Sequence, residues 1–298
     1  MILVVGSTGI LGSEVCRRLT ASGQVVRGLV RTSSAPEKVS RLKAMGVQTV
    51  LGDLRDPASL QAACQGADTV ITTATTTISM QPGDSIPRTD QQGQLDLVKA
   101  ARAAGVRRFV MVSIPLGTEA SPLTTAKRTV EKAIITSGME YTILCPSIFM
   151  EVWLGPALGF DYQNAKATIY GDGHAKNNFI SLGDVAEYVV QSLSNPAACN
   201  AVIELGHPES NTLLEVVRTF EQVSGKSFEL QFVPATALEA QRNAATDPLQ
   251  ISFAALMHNM ATGIRVDPTK AVKSFTFPLV SVKDYAQSVL VNVKPMPH

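Results

Sequence analysis

Aromatic residues supply only 5% of this 298-residue chain, with a single Trp, and charged residues only 17%. The four cysteines, Cys16, Cys64, Cys145 and Cys199, form no Cys-x-x-Cys pair, and the four histidines form no His-x-x-x-His. That scatter excludes a disulfide framework and the usual zinc spacings, leaving the cysteines as small apolar residues of a reducing compartment. Net charge is +1, and basic residues gather no further than pairs such as Arg107-Arg108, so no electrostatic footprint for nucleic acid is present. No apolar run approaches the roughly 18 residues a membrane span needs. The chain opens in a strand rather than a basic n-region, and the expectation is a cytoplasmic protein, neither secreted nor membrane-spanning. What the chain has in quantity is apolar residues, at 45%, enough for one large core or two sharing a cleft.

The strongest positive signal is at the start. An apolar run, Ile2-Leu3-Val4-Val5, leads into Gly6-Ser7-Thr8-Gly9-Ile10-Leu11-Gly12 and then a helical pattern. Strand, glycine turn and helix in that order make a phosphate cradle. Gly6 permits the tight turn, Gly9 lets backbone N–H groups approach a pyrophosphate, and Gly12 lets helix pack on strand. Thr8, Ile10 and Leu11 complete the candidate cradle at the positive end of the helix. The next strand, over 25–30, ends in Arg31-Thr32-Ser33-Ser34, about twenty residues past the turn, where an NAD site carries an acid for the ribose 2′-OH. A guanidinium beside hydroxyls suits a 2′-phosphate instead, so NADP(H) is the expected cofactor. Arg31 is also compatible with an ordinary solvated charge at a strand end.

Strand and helix signals alternate through the first half, which demands a parallel sheet covered on both faces. Strands are expected over 2–5, 25–30, 47–51, 68–73, 108–112 and 141–144, and helices over about 11–21, 89–104 and 124–137. Asp56-Pro57 supplies an N-cap and a first helical position for another helix. Thr77 to Arg88 is expected as a long loop. The fold class is therefore α/β, a doubly wound parallel sheet with the ligand beyond the strands' carboxyl ends. Past Pro146 the pattern loosens. Residues 1–150 read as the dinucleotide-binding domain and 151–298 as a smaller substrate lobe, with a short strand over 166–173, 184–206 returning to the sheet and the remainder helical.

The Gly-x-x-Gly-x-x-Gly spacing resembles the extended or atypical short-chain dehydrogenase/reductases, a Rossmann fold. Lys127-Arg128-Thr129-Val130-Glu131-Lys132, Gly138 to Leu144, Pro146 to Glu151, Gly171-Asp172-Gly173, Phe179-Ile180-Ser181 and Asp184-Val185-Ala186 narrow the resemblance to the NmrA-like group, over roughly residues 1–225. In the superfamily's reductases a Ser ending the fifth strand and a Tyr-x-x-x-Lys on the next helix serve the substrate carbonyl. Ser113 and Lys127 stand at those places, but Leu123 occupies the tyrosine's. The resemblance implies that Lys127 binds the nicotinamide ribose, with a role in proton supply through water if the cleft depresses its pKa. It further implies that Asp53 accepts from the adenine amino group. Leu54, Ala74, Thr75, Pro146 and Phe149, near the strand ends, complete the candidate cofactor contacts. Bland readings stand beside these: a surface lysine, a strand-ending serine, a loop-capping Asp53, a core Phe149. His174 and His258 are minor candidates.

Two functions follow. One is an NADPH-dependent oxidoreductase passing hydride to a small apolar acceptor such as a quinone or activated carbonyl, whose stabilised oxyanion takes its proton from water. The other is an NADP(H)-binding redox sensor or regulatory protein without turnover. A sugar-nucleotide epimerase or dehydratase fits poorly, since Leu123 protonates nothing. Oligomeric state is left open.

Overall fold

The computed structural model describes residues 1–79 and 81–291; Met80, inside the expected 77–88 loop, and 292–298 lie outside. Strand β1 (Ile2–Val5) is buried along its whole length. Ile2 and Val4 enter one core, Leu3 and Val5 the other. A strand covered on both faces must be apolar at every position, hence the unbroken run. There follow α1 (Ile10–Ala21), β2 (Val26–Val30), α2 (Pro36–Ala44), β3 (Gln48–Leu51), α3 (Pro57–Cys64), β4 (Thr69–Thr72) and α4 (Thr76–Ser79). A π-helical segment, Ile86–Gly93, runs into α5 (Gln94–Ala103), then β5 (Arg108–Val112), α6 (Pro122–Ile135) and β6 (Glu140–Pro146). Asp56 caps α3 by accepting from the Ala58 amide, with Pro57 as its first residue. Helix α2 escapes sequence reading because Leu42 is its one buried side chain.

The second half holds β7 (Ile148–Phe149), α7 (Met150–Trp153), β8 (Phe160–Asp161), β9 (Lys166–Tyr170), β10 (Lys176–Ile180), α8 (Leu182–Ser192) and β11 (Ala201–Leu205). It continues with β12 (Ser210–Thr212), α9 (Leu213–Ser224), β13 (Glu229–Val233), α10 (Ala235–Ala244), α11 (Pro248–Thr262), α12 (Thr269–Ser274) and α13 (Val282–Val291). Seven strands form one parallel sheet in the order β11-β6-β5-β4-β1-β2-β3. Strand order reverses beside β1, between β4 and β2, and opens a crevice at the carboxyl edge. Residues of α1, α8 and α12 cover one face. Residues of α3, α5 and α6 cover the other.

A separate core gathers Phe160, Ile169, Phe179 and Phe220 with residues of α11 and α13. The part beyond residue 206 is mainly helical, as expected, and the strand expected over 166–173 is β9; what the pattern did not reveal is that short strands join it in two three-stranded sheets, β12-β10-β7 and β13-β9-β8. The strands other than β9 are two to five residues long and carry polar side chains, so no alternation betrays them. Strand β10 begins Lys176-Asn177-Asn178, yet both asparagines are buried. Asn178 donates to the His207 carbonyl at 2.9 Å and accepts from the Val266 amide at 3.2 Å, while Asn177 accepts from the Ile264 amide at 2.8 Å. These bonds hold segment 264–266 along β10 and return α12 to the first core through Ala271 and Phe275.

Asn178→Leu strips partners from the His207 carbonyl and the Val266 amide at once. Urea unfolding should show a loss of about 2–4 kcal/mol, the sum of two broken bonds in a buried setting. A midpoint equal to wild type would show that the strap is held by packing alone.

Candidate active site

Close approach of backbones builds the glycine turn. A Cβ on Gly12 would lie 2.1 Å from the Gly6 carbonyl oxygen. Gly6 has φ +87°, and a Cβ there would meet Thr73 Oγ1 at 2.8 Å and the Ala74 nitrogen at 2.9 Å. Both are glycine by necessity of packing. Gly9 differs: its backbone is ordinary (φ −74°, ψ 167°) and a Cβ would meet only the Gly6 carbonyl, at 3.1 Å. Gly9 is the N-cap of α1, with no side-chain cap and no acid in the first turn. An anion is the natural complement to such a helix end. Buried Ser7 ties the turn to β2 by donating to the Leu29 carbonyl at 2.7 Å. Thr8 and Leu11 are half-buried on this turn, and Ile10 is exposed.

Four charges alternate beside the ends of β2 and β3. Arg31 pairs with Asp84 at 2.7 Å. Arg55 forks onto Asp53 at 3.0 and 2.7 Å and lies 3.7 Å from the other Asp84 oxygen. Burial works to raise the Asp53 pKa, but hydrogen bonds from Arg55, with its charge and that of Arg31, hold it below the ordinary value. Asp53 also accepts from the Arg55 amide, so one of its roughly four lone pairs remains for another donor. Leu54 is buried, and Gly93 lets the π segment close on it, since a Cβ there would lie 2.5 Å from the Leu54 carbonyl oxygen.

The third group surrounds Lys127, on α6. Its side chain is buried and has no hydrogen-bond or ion-pair partner among the described residues. Burial pushes its ammonium below the ordinary lysine value, and the charges of Asp90 and Glu131 oppose that shift without cancelling it. Asp90 is fully buried on the π segment and accepts from the Thr76 amide at 3.1 Å and the Thr76 hydroxyl. Such segments frequently mark functional sites. Ser113 ends β5, but its hydroxyl donates to Glu131, which Arg128 also holds at 2.6 Å. In this structure the Ser113 hydroxyl proton is thus held inside the protein. Arg128 further grips the Pro115 carbonyl and fixes the loop after β5.

Leu123, at the place of the superfamily's tyrosine, is buried with Ile86 and Ala126 against Leu249 and Leu256 of α11. Its amide donates to Ser252 at 3.1 Å. Ala74 and Thr75 follow β4, half-buried; Pro146 closes β6; half-buried Phe149 packs on the first core. His174 is exposed in a turn, and His258 pairs with Glu119 at 3.0 Å. Sequence reading missed Arg55, Asp84, Asp90 and Glu131. Two signals were present, a basic residue two after Asp53 and an acid four after Lys127 on one helix face; Asp84 and Asp90 had none.

The NmrA-like family model matches residues 1–285. This chain belongs to that family. The match runs past the roughly 225 residues that the motifs reach, so the separate core around Phe160 and Phe220 is part of the family body. The NmrA-like protein is 32% identical to isoflavone reductase homolog IRL of Zea mays, over 91% of each chain, and 32% identical to NAD(P)H azoreductase of Xenophilus azovorans, over 81% of this chain and 79% of that one. It is 31% identical to photosystem II assembly factor Ycf39 of Cyanophora paradoxa, over 81% and 74%. Its fold matches that of Citrobacter sp. triphenylmethane reductase complexed with NADP(H), with a TM-score of 0.78, 23% identity and coverage of 97% and 99%.

Folding holds Lys127 below its ordinary value of 10.5, so the unfolded chain binds that proton more tightly, and stability rises with pH between the depressed value and 10.5. Lys127→Met removes the cost of the buried charge. The NmrA-like variant should be more stable than wild type near pH 7, with the gap narrowing toward about pH 9.5 in urea unfolding. A gap that stays constant or widens with pH would show that Lys127 is not the strained cation.

Proposed function

We propose that this NmrA-like protein is an NADPH-dependent reductase acting on a small, planar, apolar acceptor such as a quinone or activated carbonyl. The observation that carries the reading is Lys127, a buried lysine with no direct partner among the described residues, held at the same carboxyl edge of the sheet as the glycine turn and Arg31. The residues fit a phosphorylated dinucleotide. The uncapped start of α1 receives the pyrophosphate, Arg31 with Arg55 the 2′-phosphate, and Asp53 has one acceptor site left for adenine. Lys127 is suited to donate to ribose hydroxyls, which would satisfy its buried ammonium. Bound there, the reduced nicotinamide supplies a hydride. No tyrosine stands at 123 and Ser113 is committed to Glu131, so neither position donates a proton to the acceptor. A quinone suits that arrangement, because its reduced oxyanion is stable enough to be protonated by water. The names of the azoreductase and triphenylmethane reductase relatives support a conjugated acceptor.

Titration should show NADPH binding about tenfold or more tighter than NADH, since a charge-assisted phosphate contact is worth about 1.5–3 kcal/mol. Arg31→Ala should remove most of that preference and spare NADH. NADPH oxidation followed against quinones, azo compounds and enones should show turnover; tight binding with none would favour the non-catalytic sensor.

A second expectation separates cradle from fold. Gly9→Val should abolish binding of both dinucleotides while the protein stays folded by circular dichroism, because its side chain points where the phosphates go. Gly12→Val should instead unfold or severely destabilise the chain, since its Cβ has no room. Normal NADPH binding by Gly9→Val would move the cradle elsewhere.

A further inference from the structure

The segment after α4 is docked on the two arginines at several points. Asp84, whose side chain is only 1% exposed, takes Arg31 on one oxygen and lies 3.7 Å from Arg55 with the other. The Pro82 carbonyl accepts from Arg55 at 2.9 Å. Gly83 sits so close that a Cβ there would lie 2.6 Å from an Arg55 nitrogen. The carboxylate thus presents two oxygens to two guanidiniums, which is the geometry a phosphate monoester would present. Resting on the reading of Arg31 above, we propose that Asp84 is an internal stand-in for the 2′-phosphate: the two compete for Arg31 and Arg55, and a 2′-phosphorylated dinucleotide expels Asp84 and undocks the 81–85 segment.

The physical case is one of like charges. A phosphate dianion and a carboxylate cannot share one guanidinium pair without strong repulsion, so occupancy by one excludes the other. A dinucleotide without the 2′-phosphate brings no competitor and leaves Asp84 docked. The segment's release is therefore tied to the type of dinucleotide rather than to occupancy of the crevice. It also has a path inward. Asp84 accepts from Thr89 at 3.4 Å, and Thr89 precedes Asp90, the buried acid that Lys127 feels.

Competition has a cost in affinity, because the phosphate binds only the fraction of molecules in which the arginines are released. Calorimetry with NADP⁺ and NAD⁺, which differ only in the 2′-phosphate, reads this directly. Asp84→Asn should tighten NADP⁺ by about tenfold and leave NAD⁺ unchanged. Unchanged or weaker NADP⁺ binding overturns the proposal. Weaker NAD⁺ binding would also overturn it, by making Asp84 an acceptor for the ribose hydroxyl. Hydrogen exchange on the wild-type chain needs no variant: NADP⁺ should speed exchange of the amides within 83–88, whereas NAD⁺ should not. Protection there, or the same response to both dinucleotides, overturns it too. If wild type prefers NADP⁺ through Arg31 yet fails these arms, only the displacement falls. If Arg31→Ala leaves the preference intact, the cofactor reading itself has failed.

Discussion

The contact on which the site depends is the approach of two backbones, Gly12 on α1 and the carbonyl of Gly6 beyond β1. At 2.1 Å from that oxygen there is no space for a Cβ. The helix therefore starts flush against the strand it follows. Its uncapped first turn then faces the crevice where strand order reverses, and the other site groups emerge from strand ends along the same edge. Arg31 leaves β2, Asp53 and Arg55 follow β3, Asp90 follows β4, Ser113 ends β5, and Lys127 rides the helix behind it.

Along that edge the protein treats its cations in two opposite ways. Arg31 and Arg55 remain partly exposed and are neutralised by Asp53 and Asp84. Their desolvation is modest and their forks are filled with carboxylate oxygens. Lys127 is buried and faces two carboxylates that touch other groups instead: Asp90 accepts from Thr76, and Glu131 is held by Ser113 and Arg128. Burial outweighs attraction, so the ammonium is held in a strained state that an added hydrogen-bond acceptor would relieve. The π-helical segment joins the two regimes, beginning just after Asp84 and carrying Asp90.

Helix α11 decides what surrounds the position of the superfamily tyrosine. Helix α11 lays Leu249 and Leu256 over Leu123 and Ile86, sealing the place from which a superfamily tyrosine would act. Ser252 receives the amide of Leu123, so α11 is fastened to the first turns of α6 as well as packed on them. Glu119 adds an ionic tie to Arg242 and a hydrogen bond with His258 from the same lobe. The leucine at 123 is thus fixed by the packing of α11 on the start of α6.

The sequence by itself determined the doubly wound sheet, because a buried parallel strand must be apolar at each position and its crossovers must be helices. It determined the cradle too, since glycine spacing is a local consequence of backbone crowding, and it exposed the missing tyrosine as Leu123. Arg31 and Lys127 were legible by their places after a strand and on a helix. Tertiary structure alone decided their partners. Asp84 meets Arg31 across 53 residues, and Ser113 turns to Glu131 across 18. Neither pairing has a local signature, because an ion pair constrains three-dimensional distance and not spacing along the chain. Apart from β9, the short strands beyond β6 were equally silent: Asn177 and Asn178 look like loop residues until their side-chain amides are seen satisfying the backbone of a strap more than 80 residues away.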